Sequence, residues 1–268
     1  MKYMPEIGMR AHDLPASTPL ELKEYARKLD IKYVQLALSK SFSDIKWTNH
    51  TFSIGLSEKI REQLGDLRIS VLGSYINLLA EGDNLEQEKA VFRQNMLFAK
   101  YLNAGVIGTE TGISNHTEED YKKILSNLTE LVADAEKLGV IIGIEGVFFH
   151  TINTPKMMKR LMDDIKSPNV MTIFDPVNYI NIENYKDQDM IIKESFELLS
   201  DKMAVIHMKD FDIKNGEMIG ARIGKGIFNI KLLFDCIREY KPYIDVLIEG
   251  SNEQLFEEDR KEILKIIE

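Results

Sequence analysis

Four apolar runs in the second half of the chain each end in a carboxylate or an imidazole: VIIGIE at Glu145, VMTIFD at Asp175, MAVIH at His207 and DVLIE at Glu249. The gaps between them, 30, 32 and 42 residues, each match about one strand–helix–strand unit. A polar group at the C-terminal end of successive buried strands is where a parallel barrel or an open α/β sheet builds its site. Three carboxylates and an imidazole at one point would repel one another without a cation. Oxygen and imidazole donors with no thiolate nearby suit one divalent ion: Mn²⁺, Mg²⁺, Co²⁺ or Zn²⁺.

Such a convergence requires a set of parallel strands with a common end. Eight β-like runs are present: EIGMRA, KYVQLAL, ISVLGSYI, AGVIGTE, VIIGIEG, VMTIFD, AVIHMKD and DVLIEG. Their near-continuous Val, Ile and Leu content suits parallel strands buried on both faces. Helical patterns lie between them. TPLELKEYARKLD has Thr18 before Pro19, an N-cap followed by a proline at the first helical position. NLEQEKAVFRQNMLFAKYLN and TEEDYKKILSNLTELVADAEKLG are long and amphipathic, the second with an acidic first turn and Gly139 at its end. TPKMMKRLMDDI, DMIIKESFELLSD, NIKLLFDCIREY and EEDRKEILKIIE follow, the Met-rich one reading as a helix face packed on the sheet. Strand–helix alternation at roughly 33 residues per unit predicts an α/β fold, a single (β/α)₈ TIM barrel over residues 1–268. A doubly wound sheet would place a Gly-rich phosphate loop after an early strand, and MRAHDLPAST is not one.

Bulk properties narrow the function. A net charge of −9 with dispersed lysines argues against a nucleic-acid partner. The single cysteine, Cys236, rules out an intrachain disulfide and reads as a buried structural thiol in a reducing compartment. The start of the chain, MKYMPEIGMRAHD, lacks the apolar stretch of a signal peptide, and no run is long enough to span a membrane. A cytoplasmic enzyme with no membrane partner is the expectation.

The motifs IGIEG, FDPVN, IHMKD followed by IGKG, and LIEGS, spanning residues 140–251, give the chain its resemblance. It resembles the sugar-phosphate isomerase/epimerase family of xylose-isomerase-like TIM barrels, which includes ketose 3-epimerases and inosose dehydratases. The resemblance implies that Glu145, Asp175, His207 and Glu249 ligate one divalent metal. It also implies that Glu145 and Glu249 form the catalytic acid/base pair on opposite faces of a bound sugar or sugar phosphate. The implied reaction of carbohydrate metabolism is isomerisation or epimerisation, by proton abstraction next to a carbonyl through a metal-stabilised enediolate. Dehydration of a keto-polyol is the alternative outcome, and a non-catalytic sugar-binding barrel is the alternative without turnover. A homodimer or homotetramer is the implied assembly. One departure stands out: epimerase-like members often carry Asp-x-x-His after the sixth strand, where this chain has Asp175-Pro176-Val177-Asn178. Asn178 can hydrogen-bond a hydroxyl but carries no charge.

Further substrate-binding candidates lie near other strand ends. Lys209 shares the face of His207 along an extended segment and could meet a substrate oxygen or pair with Asp210. Arg222, before IGKG, could close over an anion or stay solvated. Glu110 ends the fourth strand, His12 follows the first, and His150 follows the fifth. Gly224 and Gly226 suit a turn, and His50 and His116 read as surface residues. Trp47 and Phe52, after the second strand, could wall a sugar ring or pack in the core. Two rival enzymes fit poorly. A barrel glycosidase would need a second carboxylate where His207 stands. A multi-metal phosphoesterase acting on DNA would need more histidines at strand ends and a basic face.

Overall fold

The computed structural model describes residues 6–268; residues 1–5, part of the segment read for a leader, lie outside the described residues. In chain order the elements are β1 (Ile7–Arg10), α1 (Pro19–Lys28), β2 (Tyr33–Leu36), the short α2 (Leu38–Ser41), α3 (Ile54–Leu64), β3 (Arg68–Gly73) and α4 (Gly82–Leu102). Next come β4 (Val106–Thr109), α5 (Glu118–Leu138), β5 (Ile142–Glu145), α6 (Pro155–Ile165), β6 (Val170–Phe174) and α7 (Gln188–Leu199). The chain ends with β7 (Met203–Met208), β8 (Asp210–Lys214), β9 (Glu217–Ala221), α8 (Ile230–Tyr240), β10 (Asp245–Ile248) and α9 (Phe256–Ile267). The strands other than β8 and β9 pair in parallel and close a barrel in the order β1-β10-β7-β6-β5-β4-β3-β2. This is the expected (β/α)₈ barrel.

Local chemistry sets the helix ends. Thr18 and Glu21 form a capping box at the start of α1, and Thr117 and Asp120 form another at α5. α5 stops at Gly139, whose left-handed φ of 69° lets its N–H return to the last turn. α6 buries Met158, Leu161 and Met162, the apolar stripe of its Met-rich sequence, and α8 buries Cys236. Among the described residues no helix is long and apolar enough to cross a membrane.

Inside the barrel, Tyr33, Val71, Val106, Ile173, Val205 and Leu247 form a buried cluster separate from the core beneath the helices. Side chains alternate along a strand, so stepping two residues toward the C-terminus stays on the inner face. The step from Ile173 reaches Asp175, from Val205 reaches His207, and from Leu247 reaches Glu249. β5 uses Gly143 in this layer and reaches Glu145 by the same step. A Cβ on Gly143 would lie 2.9 Å from Ile173 Cγ1, and one on Gly108 would lie 2.8 Å from Ile173 Cδ1. Two inward glycines therefore leave the room that Ile173 fills, just below the polar end.

Two elements differ from the sequence reading. The segment after β7, which the eight-strand reading did not include, forms the antiparallel hairpin β8–β9, turned by Asn215 and Gly216 with φ of 53° and 81°. Asn-Gly with positive φ at both positions is the preferred two-residue hairpin turn. The stretch holding Phe52 runs directly into α3, capped by Ser53, whose hydroxyl accepts the Leu56 N–H, and ended at Gly65.

Candidate metal centre at the barrel mouth

Glu145, Asp175, His207 and Glu249 meet at the C-terminal mouth of the barrel, each offering a donor atom within 4.8 Å of the others. The first three are buried and Glu249 nearly so. His207 Nδ1 lies 3.3 Å from Glu145 Oε1 and 3.3 Å from Glu249 Oε1. Asp175 Oδ1 accepts the backbone N–H groups of Val177 at 2.9 Å and Asn178 at 3.1 Å, which fixes its rotamer. Its other oxygen, Oδ2, pairs with Lys209 Nζ at 2.8 Å. Nε2 of the fully buried His207 has no hydrogen-bond partner, and an orphaned imidazole nitrogen beside three carboxylates fits a divalent cation. Hard oxygens with a single nitrogen form a donor set for Mn²⁺, Mg²⁺, Co²⁺ or Zn²⁺.

Asn178 and Lys209 tie the four together from the side. Asn178 Nδ2 donates to Glu145 Oε1 at 2.7 Å, and Lys209 Nζ donates to Asn178 Oδ1 at 2.6 Å. Lys209 also donates to Glu249 Oε2 at 3.4 Å. Asn178 is thus a neutral bridge between a cluster carboxylate and an ammonium. Arg10 Nη1 stands 3.5 Å from Glu249 Oε2, and the same guanidinium is anchored on Asp13 at 2.9 and 3.1 Å.

The charges act on one another. Burial raises the Asp175 carboxyl to about 6, Lys209 works against that, and Glu249 and Glu145 add to it. For Glu249, burial works upward, but His207, Lys209 and Arg10 hold it below the usual range. Burial would lower the His207 imidazole, yet the surrounding carboxylates, Glu145 foremost, push it up to about 9.

The other sequence candidates scatter around this centre. Glu110 follows β4 on the mouth side, 3.7 Å from Nε2 of the buried His150, which packs edge-on against Phe149. Burial, then repulsion from Glu145, pushes the Glu110 carboxyl up to about 7. Its ordinary value of 4.5 holds when unfolded, so between 4.5 and about 7 the folded chain binds the extra proton. Stability supplied by that proton is therefore lost as pH rises through the window. Glu110→Gln is expected to raise the melting temperature relative to the parent at about pH 8 and to leave it nearly equal at about pH 4, with chelator present. A difference independent of pH would contradict the assignment.

His12 sits in a one-turn 3-10 helix, Ala11–Asp13, with its Nδ1 buried and unpartnered; burial and Arg10 push it down. Arg222 is paired with the first turn of α9: its Nε donates to Asp259 at 2.8 Å and its Nη2 to Glu258 at 2.6 Å. Trp47 and Phe52 both pack on Phe98 of α4, and His50 and His116 are exposed. One residue went unnoticed in the sequence, and another was read in a different role. Arg10 is legible from the two-residue step along β1 from Gly8. Asp210, read in the sequence only as a possible partner of Lys209, accepts the N–H of its neighbour Phe211 and those of Gly224, Gly226 and Phe228 in and just after the IGKG segment, at 2.8–3.1 Å. Gly226 is required there, because a Cβ would lie 2.2 Å from Asp210 Oδ1.

Known structures share this architecture. The chain is similar to the IolI protein solved with a bound zinc atom, at 17% identity and TM-score 0.75, covering 97% of this chain and 96% of that one. It is similar to a probable 3-DHS dehydratase, AsbF, from Bacillus anthracis at 12% identity and TM-score 0.75, over 98% and 99%. It is also similar to the 3-keto-D-glucoside 4-epimerase YcjR from E. coli at 14% identity and TM-score 0.72, over 98% and 99%. At these identities the likeness is one of fold. No curated protein matches the chain in sequence. The profile of one family matches residues 23–266, nearly the whole barrel, and the chain belongs to that family, the xylose isomerase-like TIM barrels.

Proposed function

We propose that the chain is a divalent-metal-dependent isomerase or epimerase of a small sugar or sugar phosphate, working by proton transfer next to a carbonyl. The observation that carries this reading is the convergence of Glu145, Asp175, His207 and Glu249, with Nε2 of the buried His207 left without a hydrogen-bond partner. Those four residues would hold the ion, which when bound supplies positive charge against the negative charge that develops on a substrate oxygen. The protein's own groups do the rest. β5 and β10 stand with β6 and β7 between them, so Glu145 and Glu249 reach the centre from different sides. One carboxylate can take a proton from a carbon held between them while the other returns one to the opposite face. Asn178 orients Glu145, and Lys209 with Arg10 orients Glu249, which limits where each carboxylate oxygen can point. The Lys209 ammonium can also donate to a substrate hydroxyl or phosphate oxygen.

The test is conversion in heavy water. Mn²⁺-loaded protein is offered free ketoses, aldoses and their phosphates, and products are read by NMR and mass spectrometry. Solvent deuterium on the carbon beside the carbonyl is expected. Conversion without exchange at that carbon would point to hydride transfer and contradict the two-carboxylate reading. A conjugated, ultraviolet-absorbing product would show that the abstraction ends in dehydration.

A further inference from the structure

A cavity of about 530 Å³ opens beside the metal centre, walled by the β5–α6 loop, the β6–α7 loop and the β8–β9 hairpin. Asn178 and Lys209 line it, and both also contact the carboxylate cluster, so the two spaces share a wall. None of the four metal-site residues lines this chamber. Most of its remaining side chains are apolar, Phe148, Phe149, Ile180, Ile182, Met218 and Ile219 among them. Phe148, Phe149 and Ile182 are 42%, 42% and 43% exposed, a costly way to leave large apolar side chains unless something covers them.

The wall is also organised. Phe148 and Phe149 stack edge to face at 5.0 Å, and the Phe148 N–H donates to the Asn178 carbonyl at 2.8 Å, locking one loop to the other. Of the three further polar side chains on the wall, Glu217 is exposed to solvent and the other two are already engaged. Asn181 Oδ1 accepts the backbone N–H groups of Glu183 and Asn184, and Asp210 is used by its four amides. A polyol placed there would lose its hydrogen bonds to water and find few in return. An apolar group would gain from burial, and the volume lies within the usual range for small-ligand sites.

We propose that the substrate's sugar carries an apolar substituent, an aryl or alkyl group of roughly phenyl size or larger, which lodges in this chamber while the sugar meets the metal centre. The inference rests on the metal-dependent reading of the neighbouring site. The β8–β9 hairpin, which brings Met218 and Ile219 to the wall, is then a specificity element.

The test uses two metal-chelating probes and calorimetry on the Mn²⁺-loaded protein. Acetohydroxamate carries only the two-oxygen head group; 4-phenylbutanohydroxamate adds an apolar tail. The tailed probe is expected to bind at least about tenfold more tightly, in line with burial of a phenyl group. The paired change Phe148→Ser/Ile182→Ser, and separately Met218→Ser on the hairpin, should remove most of that advantage and leave acetohydroxamate binding unaltered. All three side chains are partly or largely exposed, so the fold should tolerate their loss. Equal binding of both probes to the parent protein would overturn the chamber's role and leave the metal centre standing. Binding of neither would overturn the metal reading and the chamber with it. Sedimentation showing a parent dimer that these changes dissociate would assign the apolar wall to a second copy and overturn the proposal.

Discussion

Glu249→Gln is expected to slow sugar conversion by about 10²–10⁴-fold, the usual cost of losing a positioned acid or base. Glutamine keeps the shape and one oxygen donor but cannot accept and return a proton. Because the change also removes a charge from the cluster, the assay belongs at saturating Mn²⁺, where metal occupancy is equalised. The barrel should persist: Glu249 lies beyond the last residue of β10, and Arg10 retains its second carboxylate partner, Asp13. Deuterium exchange and turnover measured together decide the matter. Turnover near that of the parent, at equal metal content, would remove Glu249 from the acid/base pair.

The largest stability effect is expected from a residue outside the chemistry. Asp210 is 3% exposed and accepts four backbone N–H groups, three of which, those of Gly224, Gly226 and Phe228, hold the loop between β9 and α8. Asp210→Ala leaves those donors turned into a space without acceptors. Unpaired buried donors are expensive and hydrogen bonds to a charged acceptor are the stronger kind, so a loss of about 3–5 kcal/mol follows. For a domain of this size that amounts to a melting point lower by on the order of 10 °C. Asp210→Asn, which keeps an acceptor oxygen, should lose markedly less. Unfolding curves of the three proteins overlapping within error would show that the loop does not depend on this carboxylate.

The polar end of the barrel is legible in sequence because the inner-face step is short. A buried strand that ends in a carboxylate or imidazole two residues beyond an inward apolar side chain must present it at the mouth, as Asp175, His207 and Glu249 show. The same rule would have found Arg10, but β1 offers only Gly8 as its inward marker, and a glycine carries no apolar signal. α3 is hard to read because Ile54, Leu56, Ile60 and Leu64 make a sparse stripe interrupted by Gly55, and its helical identity depends on caps at Ser53 and Gly65. The hairpin was written in Asn215-Gly216, yet its strands alternate weakly and cover the mouth rather than the core. Arg222 could not be placed without the fold. Its partners, Glu258 and Asp259, lie 36 and 37 residues away on a helix that only barrel closure brings alongside. The bridge from Glu145 through Asn178 to Lys209 likewise joins three strand ends whose side-chain contacts no spacing rule predicts.

The central claim is that four strand ends build one site for one divalent ion, and metal content measures it most directly. Parent protein and a Glu145→Ala/His207→Ala double variant are stripped with chelator, incubated with Mn²⁺, desalted and analysed for metal, with circular dichroism to verify that both are folded. The expected result is about one ion per chain in the parent and almost none in the folded variant, since half of the donors are gone. A parent that takes up no ion, or a folded variant that holds as much as the parent, would contradict the claim.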